Sequence, residues 1–181
     1  RELEKAASYV KAMLPPTRSE GPILVDWIYE PSAKLGGDAF GYHLLAEDMY
    51  VGYLVDVAGH GAGAAMHAVA IMNQLRQRAL PNTEMASPDR VLTSLNEMFQ
   101  MEDHAGLYFT IWYGVFDART RMLSYASGGH HPAYLVPPDK SDAIPLQTRN
   151  LIVGAMPGVN FKQASVEVPP GASVYIFSDG V

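Results

Sequence analysis

Three aspartates end apolar or glycine-marked segments in the same manner. Asp56 closes the run MYVGYLVD and is followed by Gly59, Gly61 and Gly63 around His60; Asp38 closes KLGGD; Asp179 closes VYIFSD and precedes Gly180. Hard divalent cations such as Mg²⁺ and Mn²⁺ take carboxylate, backbone carbonyl and water oxygens. Glycine beside a carboxylate lets the backbone approach and offer a carbonyl. The chain contains no cysteine, which excludes disulfides, thiol catalysis and cysteine-based zinc or iron–sulfur sites. An oxygen-rich metal site is therefore the metal chemistry that these residue types support.

Two other readings of the Asp56 turn stand beside that one. Gly59 to Ala64 fits the G-x-G-x-x-A pattern of a dinucleotide-binding turn, which requires a second parallel strand ending in an acid about 20 residues on. That region is the polar PNTEMAS, and Asp56 would repel a pyrophosphate. Alternatively, the glycines and Asp56 form a structural turn that caps the following helix.

The elements that must position these residues can be read from periodicity. Residues 2–14 carry Leu3, Ala6, Ala7, Val10, Met13 and Leu14 at helical spacing, ended by Pro15 and Pro16. ILVDWIYE (23–30) reads as a strand. FGYHLLAE (40–47) and MYVGYLVDV (49–57) read as a hairpin turning near Glu47 and Asp48. Residues 62–79 are an alanine-rich helix, and 88–101 a second one, with Ser87 as N-cap and Pro88 at its first position. LYFTIWYGVFD (107–117) and RMLSYASGG (121–129) form a long hairpin. Shorter strands are expected at Ala133–Val136, Val166–Val168 and 173–180. Hairpins dominate, so the sheets should be antiparallel with helices packed on them.

The bulk properties set limits. The 181 residues suffice for one domain with a real core, and 48% hydrophobic with 18% charged residues is a globular composition. A net charge of -6 without a Lys or Arg block argues against nucleic acid or an anionic membrane as partner. No apolar run reaches about 18 residues, so a soluble, cytoplasmic domain is expected.

GGDAF (36–40), VDVAGHGAGAAM (55–66), FTIWYGVFDARTRMLSYASGGHHPAYL (109–135) and IFSDGV (176–181) occur in order and register. Together they resemble the PPM-type metal-dependent serine/threonine protein phosphatases of the SpoIIE and RsbU branch, through most of residues 20–181. The resemblance implies an α+β fold, an α-β-β-α sandwich of two mainly antiparallel sheets flanked by helices. It implies two Mn²⁺ or Mg²⁺ ions, with Asp56 bridging both, the Val57 carbonyl as a further ligand, Asp38 a direct or water-mediated ligand, and Asp179 completing one shell. A metal-activated hydroxide would attack phosphoserine or phosphothreonine. His60, the histidine nearest the turn in sequence, is the candidate general acid. Lys34 and His130 are candidates for substrate contact, each with a structural alternative: a solvated loop lysine and a structural hairpin-end His-Pro.

By the same resemblance, residues 1–16 form a linker helix and 17–181 the phosphatase domain, without the family's C-terminal segment. The expected partners are a phosphorylated regulatory protein, such as an anti-sigma-factor antagonist, an upstream sensor or receiver domain joined through the helix, and a second copy in a homodimer. Nucleic acid and membrane are not expected. The sequence departs from the family pattern at Ala39, Gly41 and Tyr42 after Asp38, in SGGHHP where NAGHNP is usual, and in ending at Val181 before the family's downstream metal-binding aspartate. That last departure supports a competing expectation: a degenerate phosphatase-like domain serving as a protein-binding adaptor in a response regulator.

Overall fold

The computed structural model describes residues 2–30, 35–81 and 83–179. Its elements run α1 (Glu2–Met13), β1 (Asp38–Ala46), β2 (Met49–Val57), α2 (Ala62–Gln77), α3 (Pro88–Met98), β3 (Phe109–Asp117), β4 (Met122–Gly128), β5 (Ala133–Val136), β6 (Ile144–Leu146), β7 (Ala164–Glu167) and β8 (Ser173–Tyr175). Five strands pair antiparallel in the order β1-β2-β3-β4-β7, and three in the order β6-β5-β8.

Strand alternation divides the large sheet into two apolar faces. Val51, Tyr53, Val55 and Val57 of β2 share one face with Ile111, Tyr113 and Val115 of β3, and pack with Ile71, Met72 and Leu75 of α2 and Leu92 and Leu95 of α3. The opposite face presents Trp112, Leu123 and Tyr125, which close against Ala133, Leu135 and Leu146 of the small sheet and against Val168. Trp112 is fixed further: its indole N–H donates to the Leu146 carbonyl at 3.0 Å, and its ring stacks on Tyr125 at 5.9 Å. α1 rests on the edge of α2, with Val10 buried beside Leu35 and Ala65. The described layers are thus α-β-β, with the helices on one side. Among the described residues no helix is long and apolar enough to cross a membrane.

The hairpin at Glu47 and Asp48 forms as its sequence predicts, with Asp48 at φ 59°. Three local expectations are corrected. The strand expected over 23–30 has no ladder: Arg18 and Val25 form one isolated bridge, and Leu24 and Ile28 stay exposed. A side chain holds this segment instead, since the Trp27 indole N–H donates to the Pro15 carbonyl at 2.9 Å and its ring meets Phe40 edge-on. The helix expected over 88–101 ends at Met98, and the Met101 N–H turns to the Gly154 carbonyl at 2.8 Å. The last strand pairs only over Ser173–Tyr175, because the Phe177 carbonyl is taken by side chains. No element is read from the sequence at Ile144–Leu146, which forms an edge strand, β6, by pairing with β5.

Because Trp112 anchors the join between the sheets, Trp112→Ala should cost about 3–5 kcal/mol. Urea unfolding will read this as a lowered midpoint, and a loss under about 1 kcal/mol would show that the sheets do not depend on this side chain.

Candidate active site

Asp56 lies near the C-terminal end of β2. Its neighbours in the ladder are Asp38, directly opposite on β1, and Thr110, directly opposite on β3. Directly opposed residues of an antiparallel pair share a face, so the row Asp38–Asp56–Thr110 lies on the face of Trp112, between the sheets and at one end of the sandwich. Two like charges in this position repel. Burial first, then the charges of Asp38 and Asp179, then a hydrogen bond to Asp38, raise the Asp56 carboxyl from 3.8 to about 7.

The local backbone holds this row in place. Gly37 precedes Asp38, and any Cβ on it would lie 2.6 Å from the Val57 carbonyl oxygen. A bare backbone is needed there for the GGD turn to lie against the end of β2, where the Val57 N–H donates to the Gly37 carbonyl at 3.2 Å. Beyond β2, the Ala58 N–H donates to the Tyr108 carbonyl at 2.9 Å, so the chain stays attached to the lead-in of β3. Gly61 then adopts φ 87°, a left-handed geometry that a side chain would strain, and launches α2 without a side-chain cap.

An open cleft of about 310 Å³ results, lined by Asp56, Val57, Ala58, Gly59, Tyr108, Thr110 and Asp179. The structure therefore brings Asp56, Val57 and Asp179 to one cleft, with Asp38 paired to Asp56 behind it. His60 is exposed and lies one residue beyond Gly59 of the cleft wall. Lys34 lies outside the described residues. His130 is buried, 3% exposed, and both of its ring nitrogens are engaged: Nδ1 with the Thr110 hydroxyl at 2.9 Å and Nε2 with the Phe177 carbonyl at 3.0 Å. It therefore sits behind the Thr110 wall of the cleft. Thr110, Tyr108 and Phe177 are the neighbours that sequence reasoning missed. Thr110 is identified only by the register of β2 on β3, strands separated by two helices in the chain.

The residues can be tested for fit to a divalent cation. Among the described residues no group of three His, Asp or Glu side chains encloses an ion by itself. The donor set is instead a mixed one: facing carboxylates, an adjacent backbone carbonyl and an open cleft that admits water. This is the chemistry that Mg²⁺ and Mn²⁺ prefer. The accumulated negative charge that raises the Asp56 carboxyl is also what a bound cation would neutralise.

Residues 47–181 match the family described as Stage II sporulation protein E (SpoIIE). The chain is 29% identical over 185 residues to phosphoserine phosphatase RsbP of Bacillus subtilis (strain 168), an alignment covering 100% of this chain and 45% of RsbP. It is 26% identical over 182 residues to phosphoserine phosphatase RsbU of the same organism, covering 99% of this chain and 53% of RsbU. The chain thus spans about half the length of these curated relatives. Among solved structures, the SiaA-PP2C domain of Pseudomonas aeruginosa superposes with a TM-score of 0.76 at 18% identity, over 96% of this chain and 68% of that one. This likeness establishes the fold, two antiparallel sheets with packed helices.

The Asp56 carboxyl has a sign-definite consequence. Its folded value near 7 exceeds the ordinary value of 3.8, so the folded state holds the proton longer than the unfolded chain does. Stability contributed at low pH is therefore lost as pH rises from about 4 through about 7. Asp56 is half-buried, so nearby water absorbs part of the penalty. With metal removed by EDTA, Asp56→Asn should raise the melting temperature at pH 8 by about 2–4 °C, the shift expected for about 1 kcal/mol in a domain of this size, and leave it unchanged at pH 4. Equal shifts at both pH values would show that charge repulsion is not what Asp56 contributes.

Proposed function

From the premise that the chain belongs to the SpoIIE family, we propose that it is the phosphatase domain of a bacterial signalling protein. It hydrolyses phosphoserine or phosphothreonine on a small regulatory protein, with an anti-sigma-factor antagonist as the substrate class. The observation that carries this reading is the convergence of Asp56, Val57 and Asp179 on one open cleft, with Asp38 paired to Asp56. The two curated relatives named as phosphoserine phosphatases support it.

In this reading Asp38, Asp56, Asp179 and the Val57 carbonyl would hold two Mn²⁺ or Mg²⁺ ions, which would supply charge neutralisation for the phosphate and an acidified water. The chain's own contribution is positioning. Asp38 and Asp56 are fixed by strand pairing rather than by flexible loops, so their oxygens need little reorganisation when the substrate arrives. The cleft is open enough to admit a phosphorylated side chain presented by another protein. Tyr108 and Gly59 form its walls, where they would flank that side chain. The leaving alkoxide needs a proton, and His60, exposed beside Gly59, is the proposed donor. α1 packs on α2, and α2 starts just after the site turn. That continuity supports control by an upstream sensor or receiver domain acting through α1.

Phosphate release from a phosphoserine protein, with and without Mn²⁺, tests the proposal. Release should require the cation, and Asp56→Asn should lower it at least about 10³-fold while the fold persists. His60→Gln should lower kcat about 10²-fold. Undiminished turnover in Asp56→Asn would overturn the site. Absence of release from folded protein on phosphorylated antagonists, with either cation, would favour the adaptor.

A further inference from the structure

A buried histidine links the two halves of the cleft. His130 follows β4 and lies between the sheets. Its Nδ1 meets the hydroxyl of Thr110, the residue directly opposite Asp56 on β3. Its Nε2 reaches the carbonyl of Phe177, two residues before Asp179. The neighbouring His131 also places its Nε2 on the Phe177 carbonyl. A carbonyl only accepts, so both Nε2 atoms carry hydrogen. The neutral His130 ring then accepts from the Thr110 hydroxyl, and burial, which disfavours its protonated form, maintains that state.

Packing reinforces the same contact. The rings of His130 and His131 stack at 4.2 Å, His131 lies on Phe177 at 4.7 Å, and Tyr134 of β5 stacks on Phe177 at 6.0 Å. The His130 carbonyl also accepts from the Gln147 side chain at 3.2 Å. Strand pairing does not reach this segment, since β8 ends at Tyr175. Without a ladder, side chains must determine where residues 176–179 lie. Asp56 is thereby tied to Asp179 through Thr110, His130 and Phe177, with no covalent or ladder connection needed between the two strand ends.

We propose that His130 is a positioning residue that holds Asp179 at the cleft opposite Asp56, by clasping the Phe177 carbonyl to Thr110 of β3. The role rests on the reading of Asp56 and Asp179 as cation ligands. It differs from direct substrate contact, because both ring nitrogens are already engaged and the ring is buried. Groups that orient metal-binding carboxylates without touching the metal typically change metal affinity about 10–100-fold when removed.

The test is a Mn²⁺ titration of the full chain followed by the EPR signal of free Mn²⁺, with near-UV circular dichroism to establish folding. His130→Gln keeps a donor at the reach of Nε2 and should bind Mn²⁺ within about 3-fold of the parent. His130→Asn reaches only as far as Nδ1, toward Thr110, and loses Phe177. It should weaken binding about 10–100-fold. His130→Leu fills the same volume without polar atoms and should weaken binding equally. It carries the test if the Asn variant does not fold. Parental affinity in either folded variant would overturn the clasp, and so would His130→Gln binding no better than His130→Leu. Asp56→Asn separates the two levels: if it binds Mn²⁺ as the parent does, the cation reading fails and takes the clasp with it. Loss in Asp56→Asn with parental affinity in His130→Asn overturns the clasp alone.

Discussion

Two carboxylates facing each other across neighbouring strands are the costly feature around which this structure is arranged. Asp38 and Asp56 are direct partners in the β1–β2 ladder. Cross-strand like charges are unfavourable, and partial burial sharpens the repulsion. A fold selected for stability alone would not place them so. The arrangement makes sense where a cation completes it, and the charge of Asp179 nearby adds to the same imbalance. Sites of function are where proteins tolerate such local conflict, with the rest of the fold supplying the compensation.

That compensation comes from both faces of the large sheet. Its helix side is a continuous apolar layer built from β2 and β3 against α2 and α3. Its other side closes on the small sheet through Trp112, Leu123 and Tyr125. The strands that carry Asp56 and Thr110 are the central pair of this double core, so their register cannot slip without exposing both apolar faces. The acidic row occupies the end of the sandwich, where the layers no longer cover it. There the chain is carried by tight backbone contacts, among them the approach of Gly37 to Val57. The polar groups between the sheets are connected in turn, from Thr110 through His130 to the Phe177 carbonyl.

Much of this was legible in the sequence, for local reasons. The β1–β2 hairpin follows from two apolar runs joined by a short turn, α2 follows from its alanine-rich spacing, and the start of α3 follows from Pro88 at its first position, with no side-chain cap bond at Ser87. Asp38, Asp56 and Asp179 stand out because each ends such a run beside glycine. The failures are equally physical. Residues 23–30 have the composition of a strand, but no free strand edge receives them, and Trp27 fastens them to Pro15 instead. The 173–180 run pairs only as far as Tyr175, and His130 and His131, which follow β4, take the Phe177 carbonyl beyond it. His60 stands on the exposed turn beyond Gly59, beside the cleft wall.

Local sequence set most element types, the antiparallel architecture, the family and the candidate acids, because each depends on neighbours within a few residues or on motifs in order. Which residues meet across the sandwich was decided by tertiary structure alone. Thr110 opposes Asp56 only through the register of strands more than 50 residues apart. His130 is buried with its second nitrogen on the Phe177 carbonyl because the segment that follows the small sheet's β8 comes to lie against it. Long-range pairing is fixed by the burial of whole faces, and no local pattern of residues encodes which carbonyl a particular side chain will reach.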